Sequence, residues 1–156
     1  MAAIKAIAVL AANELNITGH VLFTEDRRKK ETIITVHFEN VPGGKHGFHI
    51  HTLGDLRAGC DSLCAHYNPH NQPHGGRDSE KRHVGDLGNV EPNQNGVVHK
   101  VMRDKQIKLR GKYSVVGRSI VLHDGEDDLG TGTNAESKKT GNAGKRIACG
   151  IIGYRK

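Results

Sequence analysis

The sequence predicts an all-β fold, an antiparallel sandwich or barrel that presents two long loops. Hydrophobic residues make up 35% of the 156 positions and aromatics 4%, with no Trp, so Val, Ile and Leu have to build the core. Twenty glycines accompany them, which favours short strands and tight turns over long helices. Nine short β-rich runs follow one another, and only two of the gaps between them are too long for a hairpin.

The first run, 4–10, is compact and apolar apart from Lys5. Runs 20–23 and 32–38, rich in Val, Ile and Thr, flank the basic turn Arg27-Arg28-Lys29-Lys30. Pro42-Gly43-Gly44 then breaks the chain before 47–51, in which apolar and imidazole side chains alternate. Runs 86–90 and 97–102 are separated by the turn signal Asn95-Gly96, and 107–109 continues a basic hairpin from Lys100 to Lys112. The hydrophobic stretch 115–122 leads into His123, and 149–154 completes the set. The gaps 52–85 and 123–148 hold five of the eleven histidines, two of the three cysteines and a tract rich in Gly, Lys and Asp. Long loops on a compact scaffold are usually functional, so function is assigned to these two. No internal repeat or linker divides the chain, and residues 1–156 read as a single domain.

The net charge is +6 and the isoelectric point lies near 9.3, which suits an anionic partner. Neither basic cluster is interleaved with the aromatics of a nucleic-acid platform, so both read as solvated hairpin faces. No apolar run approaches the roughly 20 residues needed to span a bilayer. The opening MAAIKAIAVLAANELN has a short apolar stretch broken by Lys5 and does not read as a signal peptide, so the expected compartment is the cytoplasm.

Seven of the eleven histidines fall between His46 and His83, and Asp86 closes the run. Neutral imidazole is the commonest nitrogen ligand for zinc and copper, so such density points to metal. In Gly47-Phe48-His49-Ile50-His51 the histidines sit at i and i+2, which on a strand puts both rings on one face. His66, His70 and His74 have helical spacing, but Pro69 and Pro73 preclude that helix, so the segment is an irregular loop and His70 reads as an exposed bystander. His83-Val84-Gly85-Asp86 offers a nitrogen and an oxygen at close range, and His123 at the end of a strand adds a remote nitrogen. These candidates exceed the four that one zinc needs, so two metals are expected.

The chain resembles the copper/zinc superoxide dismutases. The likeness is carried by Gly47-Phe48-His49-Ile50-His51, His66-Tyr67-Asn68-Pro69, His74-Gly75-Gly76, Arg82-His83-Val84-Gly85-Asp86, Asp127-Asp128-Leu129-Gly130 and Lys139-Thr140-Gly141-Asn142-Ala143-Gly144, followed by Arg146 and Cys149, in family order. The resemblance implies an eight-stranded Greek-key barrel of immunoglobulin-like architecture, with a metal-binding loop at about 52–85 and an electrostatic loop at about 124–148. It implies one copper ion held by His49, His51, His66 and His123, and one zinc ion held by His66, His74, His83 and Asp86. His66 would bridge the metals, and Asp127 would link His49 to His74 without ligating either metal.

By the same resemblance, two superoxide anions are converted to oxygen and hydrogen peroxide as copper alternates between its oxidation states and His66 releases and regains a proton. Arg146 would position the anion, with Thr140 narrowing the entrance and Lys139 attracting from further out. The resemblance also pairs Cys60 with Cys149, leaving Cys64 free; a competing link between Cys60 and Cys64 stays open. It further implies a homodimer through Leu53, Gly54, Gly117, Ile151 and Gly153, and a copper-delivery chaperone as a partner. Two other readings remain at this point: a dismutase-like copper-handling module and a structural scaffold that binds zinc alone.

Overall fold

Alternation between core and solvent is what makes the runs strands. On Glu31–Glu39, Thr32, Ile34, Val36 and Phe38 are buried while Glu31, Ile33, Thr35 and His37 face outward. The computed structural model describes residues 2–156. Its strands are β1 (Ile4–Val9), β2 (Thr18–Asp26), β3 (Glu31–Glu39), β4 (His46–His51), β5 (Asp86–Val90), β6 (Val98–Asp104), β7 (Ser119–His123) and β8 (Arg146–Tyr154). They form one antiparallel sheet in the order β5-β4-β7-β8-β1-β2-β3-β6. The connections β3 to β4 and β6 to β7 both cross between its halves, which makes the Greek key.

The sheet curls until its edges approach. Leu87 and Val90 of β5 share a core with Val98 and Met102 of β6. Phe38 of β3 meets Phe48 of β4 edge to face at 6.0 Å between ring centres, joining the two halves through the middle. Across the remaining gap, Lys100 on β6 donates from Nζ to the Asn89 carbonyl on β5 at 2.8 Å.

The run 107–109 is not a strand, although Ile107 and Leu109 are fully buried. Side chains take the place of a ladder there. Ile107 N–H donates to Asp104 Oδ1, Leu109 N–H to Glu25 Oε2, and the Ile107 carbonyl accepts from Thr32 Oγ1. The run 115–122 likewise becomes a strand only from Ser119, because Gly117 at φ +88° turns the chain before it.

Between β4 and β5 the chain makes a single 3-10 turn, Gly59–Leu63, and between β7 and β8 it makes one helical turn, α1 (Ser137–Thr140). Cys60 and Cys149 form a disulfide that ties the first of these segments to β8, and Cys64 is free and exposed. A buried ion pair between Arg82 and Asp104 at 2.7 Å, and the Arg118 guanidinium 3.9 Å above the Tyr67 ring, fasten the same segment elsewhere. The first long segment is therefore fixed in place, and the second is joined to β4 by the bond from Gly47 N–H to the Gly125 carbonyl at 2.8 Å.

Candidate metal centre

His49 and His51 project from the same face of β4, and His123 ends β7 next to it. An irregular path brings His66 and His74 over that face, and His83 reaches it just ahead of Asp86 on β5. Together His49, His51, His66, His74, His83, Asp86, His123 and Asp127 form one buried group. Ligand atoms of His49, His51, His66 and His123 lie within 4.8 Å of one another, as do those of His49, His66, His74 and Asp86.

The hydrogen bonds decide which nitrogen of each ring is available. His51 Nδ1 donates to the Cys64 carbonyl at 2.7 Å and His123 Nδ1 to the Gly144 carbonyl at 3.0 Å, which leaves Nε2 of each as a lone pair. The Asp127 carboxylate accepts from Nε2 of His49 at 2.6 Å and from Nε2 of His74 at 2.8 Å, so these two rings turn Nδ1 inward instead. His49 Nδ1, His51 Nε2 and His123 Nε2 are then buried without a hydrogen-bond partner, while His74 Nδ1 faces the Asp86 carboxylate. Buried lone pairs left open are costly unless a cation receives them.

His83 also approaches Asp86, so that His66, His74, His83 and Asp86 make the second cluster, with edges close to those of a tetrahedron. Asp86 Oδ1 lies 3.0 Å from His66 Nδ1, 2.9 Å from His74 Nδ1 and 3.2 Å from His83 Nδ1, and the His66 and His83 Nδ1 atoms are 3.2 Å apart. A tetrahedral zinc with bonds of about 2.0–2.1 Å sets its donors about 3.3–3.4 Å apart. The other carboxylate oxygen of Asp86 accepts the N–H groups of Gly75 and His83, which orients the side chain. His66 belongs to both clusters, and its ring stacks on His49 at 4.0 Å.

Burial drives His49 down to about 3 and His123 to about 4, and holds His51 and His66 below the usual histidine value, so these rings keep their lone pairs at neutral pH. Burial pulls His74 the same way, but hydrogen bonds to Asp127 and Asp86 outweigh it and raise this ring to about 9. The carboxyls of Asp86 and Asp127 resist the upward push of burial because histidines donate to them, and both lie well below the ordinary range.

A cavity of about 760 Å³ opens onto the first cluster, lined by His51, His66, His123, Lys139, Thr140 and Arg146 among others. The Arg146 guanidinium donates to the carbonyls of Cys60 at 2.8 Å and Cys64 at 2.7 Å. The Cys64 carbonyl thus receives both His51 and Arg146. Desolvation lowers Arg146 from its ordinary pKa, with Asp61 and Cys64 acting against the shift.

Sequence reasoning missed two charges in the cavity wall. Glu136 accepts from Thr140 Oγ1 at 3.0 Å, and Lys138 is tied back to the Gly130 carbonyl at 2.6 Å. Their positions one and three residues before Lys139 were the available signal. His70 is exposed and touches Tyr113. His46 is buried with its ring nitrogens 2.8 and 2.7 Å from the carbonyls of His123 and Pro42, where it braces the start of β4.

A family model described as copper/zinc superoxide dismutase matches residues 17–152. The chain belongs to the copper/zinc superoxide dismutase family. An extracellular copper-zinc superoxide dismutase of Drosophila melanogaster is 49% identical over 97% of this chain and 86% of its own length. The superoxide dismutase of Paramecium bursaria Chlorella virus 1 is 51% identical, covering 97% and 81%, and that of Neurospora crassa 49%, covering 96% and 97%. Among solved structures, one described as the clock protein EA4 superposes with a TM-score of 0.92 at 42% identity, over 97% of this chain and 94% of its own. The protein is accordingly an oxidoreductase that uses copper and zinc, and superoxide is its substrate. Among the described residues no helix is long and apolar enough to cross a membrane.

Proposed function

We propose that this dismutase divides its two clusters between the metals: His49, His51, His66 and His123 hold copper, while His66, His74, His83 and Asp86 hold zinc. The supporting observation is the set of buried nitrogens without hydrogen-bond partners on His49, His51 and His123, each fixed by an acceptor on the opposite ring nitrogen. Bound copper supplies one-electron redox chemistry and bound zinc a fixed positive charge. Arg146 and Lys139 draw superoxide into the cavity, and Arg146 aligns the anion while its other donors are held by backbone carbonyls. Thr140 narrows the opening. His66, anchored by Asp86, carries the proton delivered to the reduced product at its nitrogen on the first cluster. Asp127 positions His49 and His74 together. Convergence of four imidazoles around one point favours this reading over a scaffold that binds only zinc.

Residues 1–156 form one domain in this reading, with about 52–85 as the metal-binding loop and about 124–148, whose last three residues begin β8, as the segment that steers the substrate. A homodimer is proposed through the face where Leu53 is exposed and Gly54 lies against Gly117 and Ile151, beside Gly153; sedimentation as a stable monomer at micromolar concentration would rule it out. A copper-delivery chaperone and a cytoplasmic location complete the proposal. The Cys60–Cys149 disulfide and the extracellular relative from Drosophila pull toward an oxidising compartment, and cell fractionation decides between them. The test of function is dismutation by protein of measured metal content. Activity should require copper as well as zinc, with about one of each per chain; full activity with zinc alone would refute the assignment.

A further inference from the structure

Three histidines outside the metal centre stand directly opposite one another on adjacent strands. His20 of β2 pairs with His37 of β3, and His37 pairs with His99 of β6. Their neighbours Val21, Val36, Phe38 and Val98 fill the core, so the pleat turns all three imidazoles to the outer face. Ring centres are 6.0 Å apart for His20 and His37, and 6.2 Å for His37 and His99. None of the three contributes to the hydrophobic core or to either buried cluster.

Coordination geometry sets a limit on such spacings. With a metal–nitrogen bond of about 2.05 Å, the ring centre lies about 3.2 Å from the ion, so two rings on one ion have centres about 5.2 Å apart at a tetrahedral angle and at most about 6.4 Å apart when opposed. Both ladder spacings fall under that limit, and a side-chain rotation closing about 1 Å brings either pair to the tetrahedral value. The metal centre provides an internal standard: the rings of His66, His74 and His83 are 5.2–5.4 Å apart, and those of His49 and His51 are 6.3 Å apart. Glu39 lies on the same outer face as His37, with Oε1 3.7 Å from His37 Nε2, and offers an oxygen donor. The ladder is looser than the buried clusters and open to water, which suits a reversible site.

We propose that His20, His37 and His99, with Glu39, form a surface site for a divalent transition-metal ion, copper(II) foremost, separate from the catalytic centre. Copper(II) heads the affinity order of first-row divalent ions for nitrogen donors. His37 is the shared ligand: the ion sits between it and His20 or between it and His99, and water fills the remaining positions.

The test titrates protein already carrying its copper and zinc with copper(II) chloride in a non-coordinating buffer. Bound copper is read by equilibrium dialysis, and nitrogen hyperfine coupling by electron paramagnetic resonance. An additional copper per chain is expected. His37→Gln should weaken it by about 100-fold because both chelating pairs are lost, whereas His20→Gln or His99→Gln alone should cost only the statistical factor of about two. The double variant His20→Gln/His99→Gln should match His37→Gln, and His70→Gln, an exposed histidine elsewhere, should change nothing. Dismutase activity and melting temperature verify that each variant is folded. Failure of the parent protein to take up additional copper with the ion in large excess overturns the proposal, as does unchanged uptake by His37→Gln.

Discussion

Replacing Gly141 with Ala puts a methyl group where the metal centre has no room for one. Gly141 adopts φ +70° directly after α1, and an added Cβ would lie 2.5 Å from His74 Nε2 and nearer still to Asp127 Oδ1. Ordinary contact begins at 3.4 Å, so the ring and the carboxylate must retreat by 0.9 Å or more. That movement breaks the bonds from Asp127 to His49 and His74, now 2.6 and 2.8 Å. Hydrogen bonds to a charged group are worth about 1.5–3 kcal/mol each, so losing two costs about 3–6 kcal/mol. The left-handed backbone adds about 1–2 kcal/mol for any residue with a Cβ. A total of about 4–8 kcal/mol corresponds to a fall in melting temperature of more than about 10 °C for a domain of this size. Zinc should also leave on dialysis, because His74 loses the partner that aims it. Gly111→Ala is the control: φ there is +81° with nothing within 4 Å of the added carbon, so only the backbone cost of about 1–2 kcal/mol applies. Thermal unfolding with and without metals, together with zinc content after dialysis, reads both effects. Equal losses in the two variants, with zinc retained in Gly141→Ala, would refute the steric argument.

Arg146→Ala should lower the dismutation rate about tenfold or more at low salt, with copper and zinc content unchanged. The parent rate should fall as ionic strength rises; a rate indifferent to salt removes the steering role. Breaking the disulfide by Cys149→Ser should cost about 4–5 kcal/mol, since the bridge closes a loop spanning 89 positions. Urea unfolding reads that loss, and a midpoint equal to that of the parent contradicts it. For metal-free protein, His49 and His123 lie at about 3 and 4, below their ordinary value of 6.5, so the unfolded chain binds more protons between these limits. Stability is therefore lost as pH falls from about 6.5 toward 4, by up to about 1.4 kcal/mol per pH unit for each ring. His74 has the opposite sign: raised to about 9, its contribution is complete below 6.5 and disappears as pH rises through 9. A flat profile of melting temperature between pH 4 and 6.5 would defeat the acid limb.

Strands whose side chains alternate were readable from the sequence, because a period of two is itself the signal; β3 and β4 are the clearest. The i, i+2 spacing of His49 and His51 also gave their common face. His66, His74 and His83 lie on irregular backbone, where no period relates position to direction, so only family resemblance could assign them. Ile107 and Leu109 misled because their backbone partners are the side chains of Asp104, Glu25 and Thr32, and a propensity for extended structure does not distinguish these from a neighbouring strand. Contacts made by carbonyls, such as Cys64 with both His51 and Arg146, leave no trace in residue type. The ladder of His20, His37 and His99 needed the strand register, which residue order alone does not provide.

The single bond from Lys100 to the Asn89 carbonyl has a meaning for solubility. A sheet that nearly closes still leaves two lips, β5 and β6, and each lip is a row of backbone groups able to pair with another molecule. Lys100 occupies one lip and caps a carbonyl of the other, placing a partly desolvated ammonium where an intruding strand would have to lie. Its removal would leave the barrel folded but unguarded, with Asn89 offering an open acceptor to a second copy. The cation at this seam, distinct from those that line the cavity over the metal centre, therefore stands against pairing between copies.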